Sequence, residues 1–202
     1  MGVPENKVIV GYTGGLVANK GIRHLFSAMP LVLKEKNDVY FLIGGYPAEH
    51  AQKLIKENNT EGSTRLIVPL DYFKLPEFLA MCDIAVDPKG TDTGQASGKM
   101  LNYMAAGLPI VCFDKNNNRK YLGEGGMYAE KENAEDLAQK ILELINNQEL
   151  RIEKGHINKQ NSLKFSWSIP AARISEIYNK IIHPVKSSKA DPPSAEFNRV
   201  KN

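Results

Sequence analysis

Three kinds of residue in this chain have the types and spacing to hold an anion. Gly14 and Gly15 close an apolar run and are followed five residues later by Lys20; Ser97, Gly98 and Lys99 open a helical pattern that continues through Met100 and Asn102. A glycine lets a backbone approach a ligand closely, and a serine before a helix can cap it. The uncapped N–H groups of a first helical turn attract negative charge. A lysine beside each loop adds a cation, so a phosphate fits these residues better than a metal does. From spacing alone, a solvated lysine at a helix start accounts equally well for Lys20 and for Lys99, and the glycines and serine can serve folding only.

The elements that must position these residues follow from periodicity. Ile84–Asp87 reads as a short strand, followed by a Gly/Thr/Asp loop, a helix from near Ser97, a turn at Gly107-Leu108-Pro109 and a strand over Ile110–Phe113. Met100, Leu101 and Met104 are expected to pack against the core, with Asn102 and Tyr103 off that face. Earlier in the chain, Val8–Gly14 is a strand entering a glycine loop, and Ile22, Leu25, Phe26, Met29 and Val32 define the next helix. Further strands are expected at Val39–Ile43, Arg65–Val68 and Gly126–Ala129. Helices are expected at Pro47–Asn58, Leu75–Met81, Asn133–Ile145, Glu149–Leu163 and Pro170–Ile182. Strands alternating with helices predict an α/β fold, a Rossmann-like parallel sheet flanked by helices. Residues 1–182 are taken as one domain and 183–202, rich in Pro, Ser, Lys and Asp without periodicity, as a disordered tail.

Composition narrows the function. The 202 residues are 42% hydrophobic and 24% charged, with a formal net charge of +3, too small for a nucleic-acid binder. Cys82 and Cys112 lack CxxC spacing and are expected as buried small hydrophobes in a reducing, cytoplasmic setting. The four histidines, His24, His50, His156 and His183, form no metal-ligand pattern. No apolar run is long enough to cross a bilayer. A dinucleotide site would want GxGxxG after the first strand and an acidic residue ending the second; here the first turn is Gly11-Tyr12-Thr13-Gly14-Gly15 and the second strand ends in Gly44-Gly45. The loop Asn19-Lys20-Gly21 also departs from the phosphate loop of nucleotide triphosphatases, and no GxSxG is present. Asp87 and Asp114, ending their strands, are expected to cap loops. Trp167 is expected as a core or interdomain anchor, and Arg119 as either a cleft residue or a solvated one.

The succession GYTGGLVANKG, YFLIGG, LPEFLAMCDIAVDP, SGKMLNYMAAGLPIVCFD, NRKYLGEGG and FSW resembles the donor-binding, C-terminal half of group 1 (family 4) glycosyltransferases, one half of a GT-B architecture. The stretch KMLNYMAAGLPIV is the most specific part. The resemblance implies a retaining transferase that takes a sugar from a nucleotide-diphosphate donor without a metal or other cofactor, in polysaccharide or glycolipid assembly. It places Gly14, Gly15 and Lys20 at the donor phosphates, with Lys20 as the catalytic cation that stabilises the leaving diphosphate. It also gives phosphate contacts to the backbone of Ser97, Gly98, Lys99 and Met100, and places Pro69 to Tyr72 near the base.

Three departures stand out. Gly15 occupies a position where the family commonly has arginine, and the family's paired glutamates fall on Gly94 and Asn102. Asn102 retains the donor and acceptor needed for ribose hydroxyls. The implied partner is an N-terminal acceptor-binding domain, through which peripheral membrane association would arise, and the fragment alone is expected to transfer little. The alternatives are a catalytically silent binding or scaffold module, and a sugar-phosphate phosphorylase or synthase of the same architecture. The losses at Gly15, Gly94 and Asn102 favour the silent module, and Lys20 with Ser97-Gly98-Lys99 opposes it.

Overall fold

The computed structural model describes residues 2–90 and 97–183. The strands are β1 (Val8–Gly15), β2 (Val39–Tyr46), β3 (Thr64–Ile67), β4 (Ile84–Asp87), β5 (Ile110–Phe113) and β6 (Gly126–Ala129). Every pairing among them is parallel, in the order β3-β2-β1-β4-β5-β6. The helices are α1 (Ile22–Glu35), α2 (Glu49–Glu57), α3 (Leu75–Ala80), α4 (Gly98–Ala106), α5 (Asn116–Leu122), α6 (Ala134–Asn146), α7 (Gln148–Ser162) and α8 (Ser168–Ile182). Short 3-10 turns at Ala18–Lys20 and Tyr72–Lys74 precede α1 and α3.

The strand sequences explain the sheet. β4 and β5, IAVD and IVCF, are buried at every position, as expected for strands covered on both faces. On one face Val10, Tyr12, Phe41, Ile43, Val86 and Val111 pack with the apolar stripes of α1, α2 and α6. On the other, Ile9, Leu42, Ala85, Ile110 and Cys112 meet Phe78 and Leu79 of α3, Met100, Tyr103 and Met104 of α4, and Leu122 of α5. Chain order runs outward in both directions from the β1/β4 neighbours, so the carboxyl ends of β1 and β4 meet at the point where such sheets hold ligands.

The expected strands and helices are present with ends shifted by a few residues; β2 runs on to Tyr46 and α2 starts at Glu49. Helix α5 was not expected, because NNNRKYL carries too few apolar residues for a periodic signal. It is held instead by the Asn118 side chain donating to the Phe113 carbonyl at 2.8 Å. Cys82 and Cys112 are buried free thiols, and burial pushes the Cys82 thiol up to about 12.

The described chain divides into a unit ending at Phe165 and a segment from Ser166. Within that second segment α8 carries Ile174, Ile177, Tyr178 and Ile181 at helical spacing, and all are exposed. Trp167 is 88% exposed and so is not a core residue. A single helix has nothing of its own with which to bury such a stripe. Of the expected tail, His183 closes α8, its N–H donating to the Asn179 carbonyl; residues 184–202 lie outside the described residues. Among the described residues no helix is long and apolar enough to cross a membrane.

Candidate functional site

β1 delivers Thr13, Gly14 and Gly15 to the carboxyl edge beside Gly44, Gly45 and Tyr46 of β2. Two glycines are needed for that approach. Gly14 has φ +132°, a conformation that side chains disfavour, and a Cβ at Gly45 would lie 1.9 Å from the Gly14 carbonyl oxygen. Lys20, in the last turn of the 3-10 segment, lies along this loop: a Cβ at Gly15 would be 3.4 Å from Lys20 Cγ. Among the described residues Lys20 forms no ion pair, so its charge is uncommitted.

Helix α4 arrives from the other side. Ser97 stands at its N-cap in extended conformation, but its side chain makes no capping hydrogen bond. Its carbonyl instead accepts the Met100 N–H at 3.0 Å, a tight first turn that engages the N–H Met100 was expected to offer. Met100 itself is buried. Gly98 and Lys99 occupy the first two helical positions, where the backbone N–H has no intrahelical acceptor. Gly94, the other position compared with the family's glutamates, lies outside the described residues.

A cavity of about 340 Å³ joins the two loops, lined by Thr13, Gly14, Gly15, Gly45, Tyr46, Leu70, Tyr72, Leu75, Lys99 and Asn102. A neighbouring 460 Å³ cavity between α3 and α4 shares Tyr72, Leu75 and Asn102 and is otherwise apolar, with Phe73, Pro76, Leu79 and the alanines of α4. The trough therefore has a glycine and lysine end, a central amide from Asn102 and an apolar, aromatic end. Of the expected residues, Gly14, Gly15, Lys99 and Asn102 line the first cavity, whereas Lys20, Ser97, Gly98 and Met100 do not.

Beneath the glycines lies a polar cluster that periodicity did not reveal. Tyr103, expected off the core face of α4, is fully buried. Its hydroxyl accepts the Thr13 N–H at 2.7 Å, lies 3.1 Å from Thr13 Oγ1 and donates to the Thr13 carbonyl at 3.4 Å. The Tyr12 hydroxyl donates to the Gly15 carbonyl at 2.9 Å. Burial pushes both phenols well above the ordinary tyrosine value, so both remain protonated donors. Lys99 Nζ sits 3.4 Å from Asp87 Oδ1 and 4.0 Å from the centroid of the Tyr12 ring. Asp87 is thus the partner of a lysine rather than a loop cap. The available signal was the i, i+4 spacing of Lys99 and Tyr103, which puts both on the face that meets β1.

Other candidates lie elsewhere. Arg119 grips Asp114 with two 2.6 Å hydrogen bonds and covers the Tyr128 ring; the ion pair is solvent-exposed and Tyr128 half-buried. The guanidinium holds the Asp114 carboxyl below its usual range, and burial pushes Tyr128 up to about 12. Among the described residues, no three His, Cys, Asp or Glu side chains gather as a metal site.

This geometry meets its match in known proteins. Residues 7–147 match the family model described as Glycosyl transferases group 1. The chain belongs to that family. A glycosyltransferase of Methanocaldococcus jannaschii is 28% identical over 84% of this chain and 47% of its own length. The N,N'-diacetylbacillosaminyl-diphospho-undecaprenol alpha-1,3-N-acetylgalactosaminyltransferase of Campylobacter jejuni is 26% identical over 90% of this chain and 47% of its own. Among solved structures, a Staphylococcus aureus TarM variant in complex with Fondaparinux, alpha-GlcNAc-glycerol and UDP superposes with a TM-score of 0.75 at 26% identity, over 89% of this chain and 37% of that one. The chain spans about half the length of the curated relatives it matches, and its Rossmann-like sheet is one half of the GT-B architecture.

Proposed function

We propose that the chain is the donor-binding half of a nucleotide-sugar glycosyltransferase, and that the trough holds the nucleoside diphosphate of the donor. The observation that carries this reading is the convergence of two glycine-lined backbone segments and Lys99 from the first turn of α4 on one cavity at the β1/β4 switch point, with Lys20 alongside Gly15. In this reading the phosphates lie against Gly14, Gly15 and the first turn at Ser97, Gly98 and Lys99. Asn102 hydrogen-bonds the ribose, and Tyr46, Leu70 and Tyr72 flank the base. Group transfer leaves a diphosphate whose growing negative charge the helix N-terminus and Lys20 stabilise, with Lys20 as the catalytic cation. We assign it no metal and no cofactor, and a retaining outcome.

An acceptor-binding N-terminal domain completes the cleft. Acceptors in polysaccharide or glycolipid assembly fit relatives that include an N-acetylgalactosaminyltransferase named for a diphospho-undecaprenol substrate and a poly(ribitol-phosphate) N-acetylglucosaminyltransferase. We assign the chain a cytoplasmic site that meets a membrane only through that other half. The chain alone then binds donor weakly and transfers little.

Thermal unfolding of the 202-residue chain with UDP, GDP, ADP and the matching monophosphates, in the presence of a chelator, tests this. A ligand at a hundred times its Kd stabilises by about 2.7 kcal/mol. One diphosphate is expected to raise the melting temperature, its monophosphate less, and Lys20→Ala to abolish most of the shift. Absence of any shift at millimolar diphosphate would favour the silent-module alternative.

A further inference from the structure

The pairing of Lys99 with Asp87 is incomplete. Asp87 is 1% exposed and the Lys99 side chain 11%, yet neither carboxylate oxygen nor the ammonium makes a hydrogen bond. Their 3.4 Å separation is well beyond the 2.7–2.9 Å typical of a charge-assisted bond. Buried charges normally satisfy every donor and acceptor, because a half-satisfied pair does not recover its desolvation cost. Here three ammonium protons and two carboxylate oxygens are left over, next to a cavity.

The local architecture holds the ammonium in that state. The Tyr12 ring supports it from one side, at cation–π distance, but offers no acceptor lone pair. Gly14 lies close to it as well: a Cβ there would be 3.4 Å from Lys99 Nζ and 3.3 Å from Cε. Both Gly14 and Lys99 line the cavity. The ammonium is therefore held near a carboxylate and beside a residue without a side chain, and both Lys99 and that glycine border the cavity.

We propose that Asp87 is a positioning residue that acts as the resident counter-ion of Lys99, and that the anionic diphosphate of the ligand competes with it for the ammonium. This rests on the diphosphate reading above. Asp87 holds the cation under the glycine turn when the cavity is empty and offsets part of its charge when the cavity is full. Affinity for a diphosphate, the group that must leave after transfer, is thereby kept below what Lys99 alone would give.

The test is a double-mutant cycle on the 202-residue chain, read by calorimetric titration with UDP, GDP, ADP and inorganic pyrophosphate, and by thermal unfolding without ligand. Asp87→Asn leaves a buried ammonium without its counter-ion. It should therefore lower the melting temperature while tightening diphosphate binding about tenfold, the size of one hydrogen bond to a charged group. Lys99→Met should weaken binding by a similar factor and flatten its dependence on salt. In the Lys99→Met background, Asp87→Asn should no longer tighten binding.

A merely structural Asp87 would give the opposite sign, with stability and affinity falling together. That result, or equal tightening with and without Lys99, overturns the proposal while leaving the diphosphate site intact. If Asp87→Asn does not fold, Asp87→Glu replaces it. Its longer carboxylate closes on the ammonium and should weaken binding, and unchanged or tighter binding overturns the proposal. Failure of the wild type to bind any of the four probes overturns the diphosphate reading and this inference with it.

Discussion

Asn158 and Lys99 each send a polar group into the interior of the first unit, and they differ in what meets them. Asn158, on α7, is fully buried and donates both amide hydrogens to backbone carbonyls, of Leu108 at 2.9 Å and Gly125 at 3.1 Å. Its Oδ1 accepts no hydrogen bond but lies hard against Gly125, where a Cβ would be 2.1 Å away, and Asn158 lines neither trough cavity. Lys99, on α4, is nearly as deep but donates no hydrogen bond and borders a cavity. A neutral amide whose hydrogens are consumed by the backbone is a staple between elements. A cation with unfilled donors beside a glycine turn is poised for something the chain does not itself contain.

Substitutions sharpen that contrast. The largest effect is expected at Gly45→Ala, where the new Cβ would collide with the Gly14 carbonyl and push β1 and β2 apart at the cavity floor. We expect a cost of about 4 kcal/mol in denaturant unfolding and loss of nucleotide binding. Asn158→Ala should cost about 3 kcal/mol by stranding two buried carbonyls, yet leave the nucleotide Kd unchanged, because the staple touches no cavity residue. A changed Kd would break the comparison.

Tyr103→Phe removes the acceptor of the buried Thr13 N–H. It should cost about 2 kcal/mol and also weaken nucleotide binding, since Thr13 leads directly into Gly14. This variant separates the two clusters most cleanly: stability falls in both, affinity in one.

The effect of pH is graded and grows with alkalinity. Tyr12, Tyr103, Cys82 and Cys112 are all held above their ordinary values, chiefly by burial. For acids raised in the folded state, stability is full below the unfolded values, 9.0 for the thiols and 10.0 for the phenols, and declines as pH rises through that range because only the unfolded chain ionises. Unfolding midpoints should therefore fall between about pH 9 and 12, and less steeply in Tyr103→Phe. The smallest effect belongs to Arg119→Ala at the exposed Asp114 pair, where the melting temperature should stay within error of the wild type.

The fold was legible because its signals are local and repeated. Apolar runs such as IAVD and IVCF, glycine turns and amphipathic helices each announce a strand or helix without tertiary information. Helix α5 escaped because NNNRKYL buries only Asn118 and Leu122 and depends on a side-chain bond to Phe113. The site was half legible. Gly14, Gly15 and Lys99 were marked by residue type, Asn102 by the family resemblance, and all four line one cavity. What they do there was less visible.

Tyr103 was assigned to the wrong face, since a tyrosine adjacent to Asn102 reads as polar until β1 supplies the Thr13 backbone for its hydroxyl. Asp87 was read as a loop cap because the partner that captures it comes 12 residues later, across a glycine loop. Met100 was counted by its backbone N–H, which the tight first turn of α4 hands to Ser97. Contacts between elements distant in sequence decide such roles, and no single-chain periodicity encodes them.

The central claim is that one diphosphate lies where β1 and α4 converge. Residue-resolved amide hydrogen exchange of the 202-residue chain, with and without the nucleoside diphosphate that stabilises it, addresses that claim most directly. Slowed exchange is expected at Thr13, Gly14, Gly15, Gly98 and Lys99, with none at Asn158 or along α7. Protection confined to other segments, or none at a saturating concentration, would contradict the assignment.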